Sequence, residues 1–261
     1  MWDTLIISPF INVLLFIYNL IGQNFGVAVI LFTILIRLIT HPLTASQLKG
    51  TQRMQEMQKD KRWIEAQKKY KNDKEKLSQE QMKLYKEMGI NPMASCLPTV
   101  IQFPIIIGLY QSVIKALAST PIELLTFMRF INNSFLDASS LIPLNSSFLW
   151  MDLGQPERLN LPFLSFGIPV LAIVVVITTY LQSKLMQPAG GGGSDQGAMM
   201  GNMMSIYMPF LMGYLAFTLA SGLSLYFVTS NLVGIIQYAL LGKLNWKNLL
   251  PKPKAKEKGI T

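Results

Sequence analysis

Of 261 residues, 51% are hydrophobic and only 14% charged, against about a quarter charged in ordinary soluble domains. The deficit lies in long uncharged stretches of bilayer-spanning length, which excludes a water-soluble globule. One cysteine, Cys96, and one histidine, His41, exclude an intrachain disulfide framework and argue against a protein-built zinc centre.

Residues 1–22 hold Asp3 but no Lys or Arg, so the positive n-region of a secretory signal is missing. Ser8-Pro9 reads as a helix start, and the apolar run 10–21, interrupted by Asn12 and Asn19, is short for a crossing. Only residues 22–24 join it to the next apolar segment. An interfacial helix lying along the membrane is expected within an extracytoplasmic segment 1–24.

Residues 25–44 form the first expected span, broken only by Arg37 and His41 near its end. Residues 45–89 are a different material. Through residue 88 they carry twelve Lys/Arg against seven Asp/Glu and read as a helical hairpin divided near Asn72-Asp73. Its second arm has a capping-box pattern at Ser78 and Gln81 and stops at Gly89. Leu77, Gln81, Leu84 and Met88 share one face, which leans the two arms together. Of the methionines at 54, 57, 82, 88 and 93, most read as hairpin packing.

Residues 90–242 contain four more expected spans, at 96–117, 161–181, 203–220 and 223–241. The last two are joined only by Ser221-Gly222 and must form a tight antiparallel pair. Between the third and fourth lies a flexible linker, 188–197, whose GGGGS core matches engineered linkers in composition. The tail, 243–261, holds six lysines and one glutamate, whereas 118–160 carries only Arg129 and Arg158. The positive-inside rule therefore puts hairpin and tail in the cytoplasm and the N-terminus outside, a parity that five spans satisfy. The net charge of +9 is thus mainly a topology signal, although a basic tail can also touch ribosomal RNA.

Chemistry-bearing templates fail. There is no GxxxxGK[ST], and the glycine run at 190–193 lacks the GxGxxG spacing and a preceding strand. No Ser/His/Asp arrangement is credible with one histidine at a membrane boundary. The acidic residues lie outside the spans, which argues against a proton relay. Neither an enzyme nor a cofactor site is expected.

Arg37 is the informative residue. An arginine at helix centre costs roughly 2.5–3.5 kcal/mol on translocon scales and faces protein or water. Thr33 lies four residues earlier on the same face. A second account stands beside this one, because Arg37 is only about 10 Å of helix from Thr44 and can snorkel to the headgroups. Ser95, Thr99 and Gln102 form a polar stripe on the second span, and Tyr226, Ser230 and Gln237 another on the fifth. Each stripe alone reads as interhelical hydrogen bonding, worth roughly 0.6–2 kcal/mol per bond. Together with an arginine that has no intramembrane acid to pair with, they fit around a wet cavity.

Three motifs then stand out. Gly89-Ile-Asn-Pro-Met-Ala-Ser-Cys-Leu-Pro-Thr-Val-Ile-Gln-Phe-Pro resembles the stretch opening the second core helix of YidC-type membrane protein insertases, including the mitochondrial oxidase-assembly and chloroplast Albino members. Ile36-Arg-Leu-Ile-Thr-His-Pro-Leu-Thr resembles that family's first core helix. Ser221-Gly-Leu-Ser-Leu-Tyr-Phe-Val-Thr-Ser-Asn-Leu resembles its last. All three occur in family order, over most of residues 1–243.

The resemblance implies an all-α membrane protein with five transmembrane helices enclosing a hydrophilic groove, open to cytoplasm and lipid. Arg37 matches the groove arginine, and Thr33 and Gln102 match other groove positions. It also implies insertion and folding of nascent membrane proteins in the bacterial plasma membrane without nucleotide hydrolysis, alone or beside the Sec translocon and ribosome. Unlike proteobacterial members, these residues include no large periplasmic domain ahead of the core. Unlike many Gram-positive members, they carry no lipobox cysteine, since Cys96 belongs to the second-helix motif. Phe227 stands where some members carry a second tyrosine. Two other classes remain open, a small-solute channel or transporter and a passive assembly scaffold. The lack of an inverted repeat and of intramembrane acid weighs against the first.

Overall fold

In a computed structural model of the chain, residues 1–70, 73–90, 92–117, 120–131, 144–160, 167–186, 195–242, 244 and 246 are described, and most of them are helical. A π-helical turn, Asp3–Ile7, runs unbroken into α1 (Ser8–Leu20), so the helix begins five residues before the expected Ser8-Pro9 start. Ser8 does not cap it. Its hydroxyl donates to the Phe130 carbonyl at 2.9 Å, and the Asn12 amide donates to the same oxygen at 2.7 Å. Gly22, at φ +74, supplies the left-handed residue that ends α1, and Gln23 N–H closes the turn on Tyr18 O at 3.0 Å.

The segment expected as one span over 25–44 is two helices, α2 (Phe25–Ile39) and α3 (His41–Lys59). Pro42 lies in the first turn of α3, where its missing N–H disrupts no bond but prevents α2 from continuing. The first hairpin arm divides again at Asp60. This residue ends α3 and caps α4 (Lys61–Lys69), accepting from Arg62 N–H at 2.9 Å. The second arm, α5 (Lys74–Glu87), is capped by Asp73, which accepts from Lys76 N–H at 3.1 Å. Ser78 therefore lies inside the helix, because an aspartate five residues earlier already satisfies the orphan donors. After α5, Ile90 N–H bonds Tyr85 O and Gly89 N–H bonds Lys86 O, a Schellman ending. Met57, Trp63, Leu84 and Ile90 form a small core of their own, joined by Leu77 and Met88, whereas Met82 is exposed.

The remaining helices are α6 (Pro92–Ala116), α7 (Pro121–Met128), α8 (Val170–Met186), α9 (Asp195–Thr218) and α10 (Ser221–Leu240). A two-stranded hairpin, β1 (Ser147–Phe148) with β2 (Met151–Asp152), precedes α8. The third span, expected from 161, begins nine residues later. Ile168 pairs with Leu159 in an isolated bridge, and Pro169 gives its carbonyl to Ile173 N–H at 3.1 Å. A residue before proline favours extended backbone, so the helix opens only after Pro169. The expected linker 188–197 lies mostly outside the described residues. Among those described, Asp3–Leu20 and Ser221–Leu240 are long and apolar enough to cross a membrane, and Phe25–Ile39, Val170–Met186 and Ile206–Thr218 are shorter apolar helices.

The bundle has two distinct ends. At one of them, Phe148 covers Gly26 so closely that any side chain at that position would strike the ring. Ser221 N–H donates to Gln155 O at 2.8 Å and Gly222 N–H to Leu153 O at 3.0 Å. Arg158 lies over the Phe217 ring, 5.0 Å from its centroid. Residues 144–160 thus tie together the starts of α2 and α10 and the end of α9. Both ends of α1 reach this same end. Asp3 pairs with Lys115 in the last turn of α6 at 3.5 Å, and Tyr18 stacks edge-on against Phe25 at 6.0 Å. The core lies here too, built from Ile11, Leu14, Phe32, Leu109, Val113, Leu153, Val175 and Leu223. In lipid such a core is held mainly by close packing, because hydrocarbon outside is as apolar as the interior.

Candidate functional site

Near the other end, α2, α6 and α10 present polar side chains to one another. Arg37 occupies the last turn of α2. Its Nε donates to the Ser230 hydroxyl at 2.8 Å, and a terminal guanidinium nitrogen bonds the same oxygen. Gln237, two turns further along α10, donates through Nε2 to the Arg37 carbonyl at 2.9 Å. Gln102 of α6 donates to the Tyr226 hydroxyl. Tyr226, Ser230 and Gln237 follow i, i+4, i+11 spacing and share one helical face. All three are buried.

Of the expected residues, five are therefore brought together, Arg37 with Ser230 and Gln237, and Gln102 with Tyr226, whose hydroxyl also bonds Ser230 and so links the two sets. Thr33 is fully buried one turn from Arg37, but its hydroxyl turns back to the Val29 carbonyl at 2.7 Å. Ser95 and Thr99 lie on α6, and their side chains fall outside the described ones.

Sequence reasoning missed Tyr238, buried and near enough to Arg37 to interact electrostatically. Its position, one residue beyond Gln237, lies off the polar stripe. Also missed is a second polar seam on another face of α10, where Asn231 donates to Thr178 and Thr179 of α8 at 3.1 and 2.8 Å. Asn231 in α10 and the Thr178-Thr179 step in α8 are the local signals for it.

The chemistry of the cluster follows from its charges. Among the described residues no carboxylate lies within 4 Å of Arg37. Its partners are neutral, and Ser230 takes up only part of the five-donor fork. Gln237 Oε1 is buried without a hydrogen-bond partner among the described residues. Arg37 itself is half-buried. Among the described residues the site is therefore a cation without an acidic partner, suited to weak, reversible interaction with anionic groups.

Apolar helices around a cationic polar cluster fit a membrane-embedded protein, and the model of the 60Kd inner membrane protein family matches residues 16–248. The chain belongs to that family, and with it to the bacterial cell-membrane insertases. It is 32% identical to the membrane protein insertase MisCA of Bacillus subtilis over 92% of this chain and 78% of that one. It is 34% identical to the membrane protein insertase YidC of Fusobacterium nucleatum, over 87% and 98% respectively, and 36% identical to the YidC of Clostridium perfringens, over 83% and 78%. Among solved structures, it resembles an active YidC insertase crystal structure with its first transmembrane domain resolved, at TM-score 0.52 and 29% identity. The match covers 88% of this chain but only 45% of that one.

Proposed function

We propose that this chain inserts and folds nascent membrane proteins by offering their polar segments a wet, cationic groove part-way across the bilayer. Moving such a segment through hydrocarbon is costly because each backbone group loses its water partners. A groove lined by Arg37, Thr33, Gln102, Ser95, Thr99, Tyr226, Ser230 and Gln237 shortens the dry part of that path. The client's apolar helix then partitions into lipid beside the bundle, which drives the step without nucleotide.

In this reading α2, α6, α8, α9 and α10 are the five spans. The end tied by residues 144–160 faces outside, and α3–α5 and the tail 243–261 lie in the cytoplasm. The alternating direction of the five helices between the two bundle ends supports it, as do the twelve basic residues of 45–88. The segment 1–24 is outside, with α1 along the interface, because a spanning helix could not attach both its ends to one end of the bundle. The hairpin and basic tail are suited to receiving clients from a ribosome, with or without a Sec translocon.

The observation that carries this function is Arg37, held by Ser230 with no acid beside it among the described residues. Reconstituting the pure protein in liposomes and adding a short single-span client tests it. Protease protection of the client's translocated segment is expected. Solute flux without protection would indicate a channel.

A further inference from the structure

The segment between α6 and α8 faces outside in the reading above, on which this inference rests. A water-exposed segment leaves few large apolar side chains clustered at its surface. This one does the opposite. On α7, Ile122 is 75% and Leu125 65% exposed, and at the β1–β2 turn Leu149 is 75% and Trp150 52% exposed. Leu149 also holds φ +55, a left-handed conformation that hairpin turns usually assign to Gly, Asn or Asp. An apolar side chain is kept at the tip against the local backbone preference.

Both outcrops stand on α1, one at each end. Phe130, just past α7, accepts from Ser8 and Asn12, while Phe127 of α7 is buried. At the other end of α1, the Tyr18 hydroxyl accepts from Asn145 N–H at 3.1 Å, two residues before β1. Helix α1 and the π-helical turn before it expose Leu5, Phe16 and Leu20. Three elements therefore expose apolar side chains at the end of the bundle tied by residues 144–160. Arg129 lies one turn past Leu125 and two past Ile122, is exposed, and joins no ion pair among the described residues. Trp150 turns its indole N–H inward to Glu157 at 2.9 Å and leaves its ring outside. Aliphatic side chains beside an exposed guanidinium, with an amphipathic aromatic near them, match the demands of the headgroup–acyl boundary.

We propose that α7 and the β1–β2 turn are seated in the outer leaflet, with Ile122, Leu125 and Leu149 in the acyl boundary and Arg129 on lipid phosphate. With α1 they form a three-point platform that fixes the depth of the bundle. The test uses full-length chain with Cys96→Ser and single spin-labelled cysteines, Ile122→Cys, Leu125→Cys, Leu149→Cys and Glu123→Cys, in phosphatidylethanolamine–phosphatidylglycerol vesicles. Leu232→Cys, on an exposed position of α10, reports separately on the spanning reading. Collisions with oxygen should exceed those with a water-soluble nickel chelate several-fold at 122, 125, 149 and 232, and the order should reverse at 123. Arg129→Gln should raise chelate access at 125. Chelate access at 122, 125 and 149 equal to that at 123, with 232 protected, overturns the platform and leaves the spanning reading intact. Chelate access at 232 overturns the spanning reading itself. Unchanged access at 125 in Arg129→Gln overturns the phosphate contact.

Discussion

Arg37 and Ser230 join the last turn of α2 to the middle of α10 through a bond of 2.8 Å from guanidinium to hydroxyl. Gln237 grips the same residue from its main-chain side, donating to the Arg37 carbonyl. One side chain of α10 thus orients the charge and another fixes the backbone that carries it. The half-buried guanidinium cannot wander to the headgroups without giving up the Ser230 hydroxyl.

Ser230→Ala should therefore loosen Arg37 without removing its charge. A hydrogen bond to a charged group contributes about 1.5–3 kcal/mol, and water can replace part of it. Insertion rates in liposomes, at matched folded protein, should fall by clearly less than in Arg37→Ala. A loss as large as that of Arg37→Ala would mean that the hydroxyl itself contacts clients.

The hairpin should be a separate, weaker unit. Its core holds four buried residues, of which Trp63 is the largest. Trp63→Ala should cost the hairpin about 3–5 kcal/mol, more than so small a core can lose. Amide exchange across 61–87 should then approach free rates while that of α10 stays slow. Faster exchange in α10 as well would show that the hairpin and bundle fold as one.

A pH effect should appear at the kink between α3 and α4. The Arg62 guanidinium, hydrogen-bonded to Asp60, holds that carboxyl below its ordinary value. Because the folded value lies below the unfolded one, the pair stabilises the kink above the ordinary Asp range, about pH 4, and is lost as pH falls through the folded value. The pair lies at the surface, with the Arg62 side chain exposed, so screening keeps the effect small. Amide protection at 61–66, taken relative to the intrinsic exchange rate at each pH, should be level from neutral pH down to that range and fall below it. In Asp60→Asn this step should vanish.

Much of the site was readable because its members repeat at helical spacing. Tyr226, Ser230 and Gln237 share a stripe, and Arg37 is conspicuous in an apolar helix. That Ser230 rather than Tyr226 holds the guanidinium depends on how α2 crosses α10, which no local pattern encodes. Tyr238 was lost for the same reason, since it flanks the stripe. The late start of α8 escaped because hydropathy alone does not separate apolar residues before a helix from those inside it. Helix α7 was not anticipated, although Thr120 and Glu123 form a full capping box around Pro121, a local signal between the expected spans 96–117 and 161–181.

Topology gives a direct check on the five-span reading. Protease added outside intact cells should leave 45–88 uncut, and lysis should expose it, because its lysines and arginines would otherwise be cleaved readily. Cleavage within the hairpin from outside would overturn the N-out orientation.

The last prediction joins Arg37 to the charge of the client. If Arg37 acts by Coulomb attraction in a partly wet groove, Arg37→Lys should keep much of the activity, since lysine retains the charge while losing the planar fork. Arg37→Ala should lose it. The loss should be largest for clients whose translocated segment carries Asp or Glu, and small for neutral ones. At an effective dielectric near 20, a contact at about 4 Å is worth about 4 kcal/mol before desolvation, enough to favour entry yet weak enough to release. Such a site also needs no resident acid, and among the described residues none neighbours Arg37. Insertion of paired clients differing only in those acids, by wild type, Arg37→Lys and Arg37→Ala at matched folded protein, provides the measurement. Equal insertion of acidic clients by wild type and Arg37→Ala would remove charge attraction from the mechanism and leave hydration of the groove as the sole driving contribution of this site.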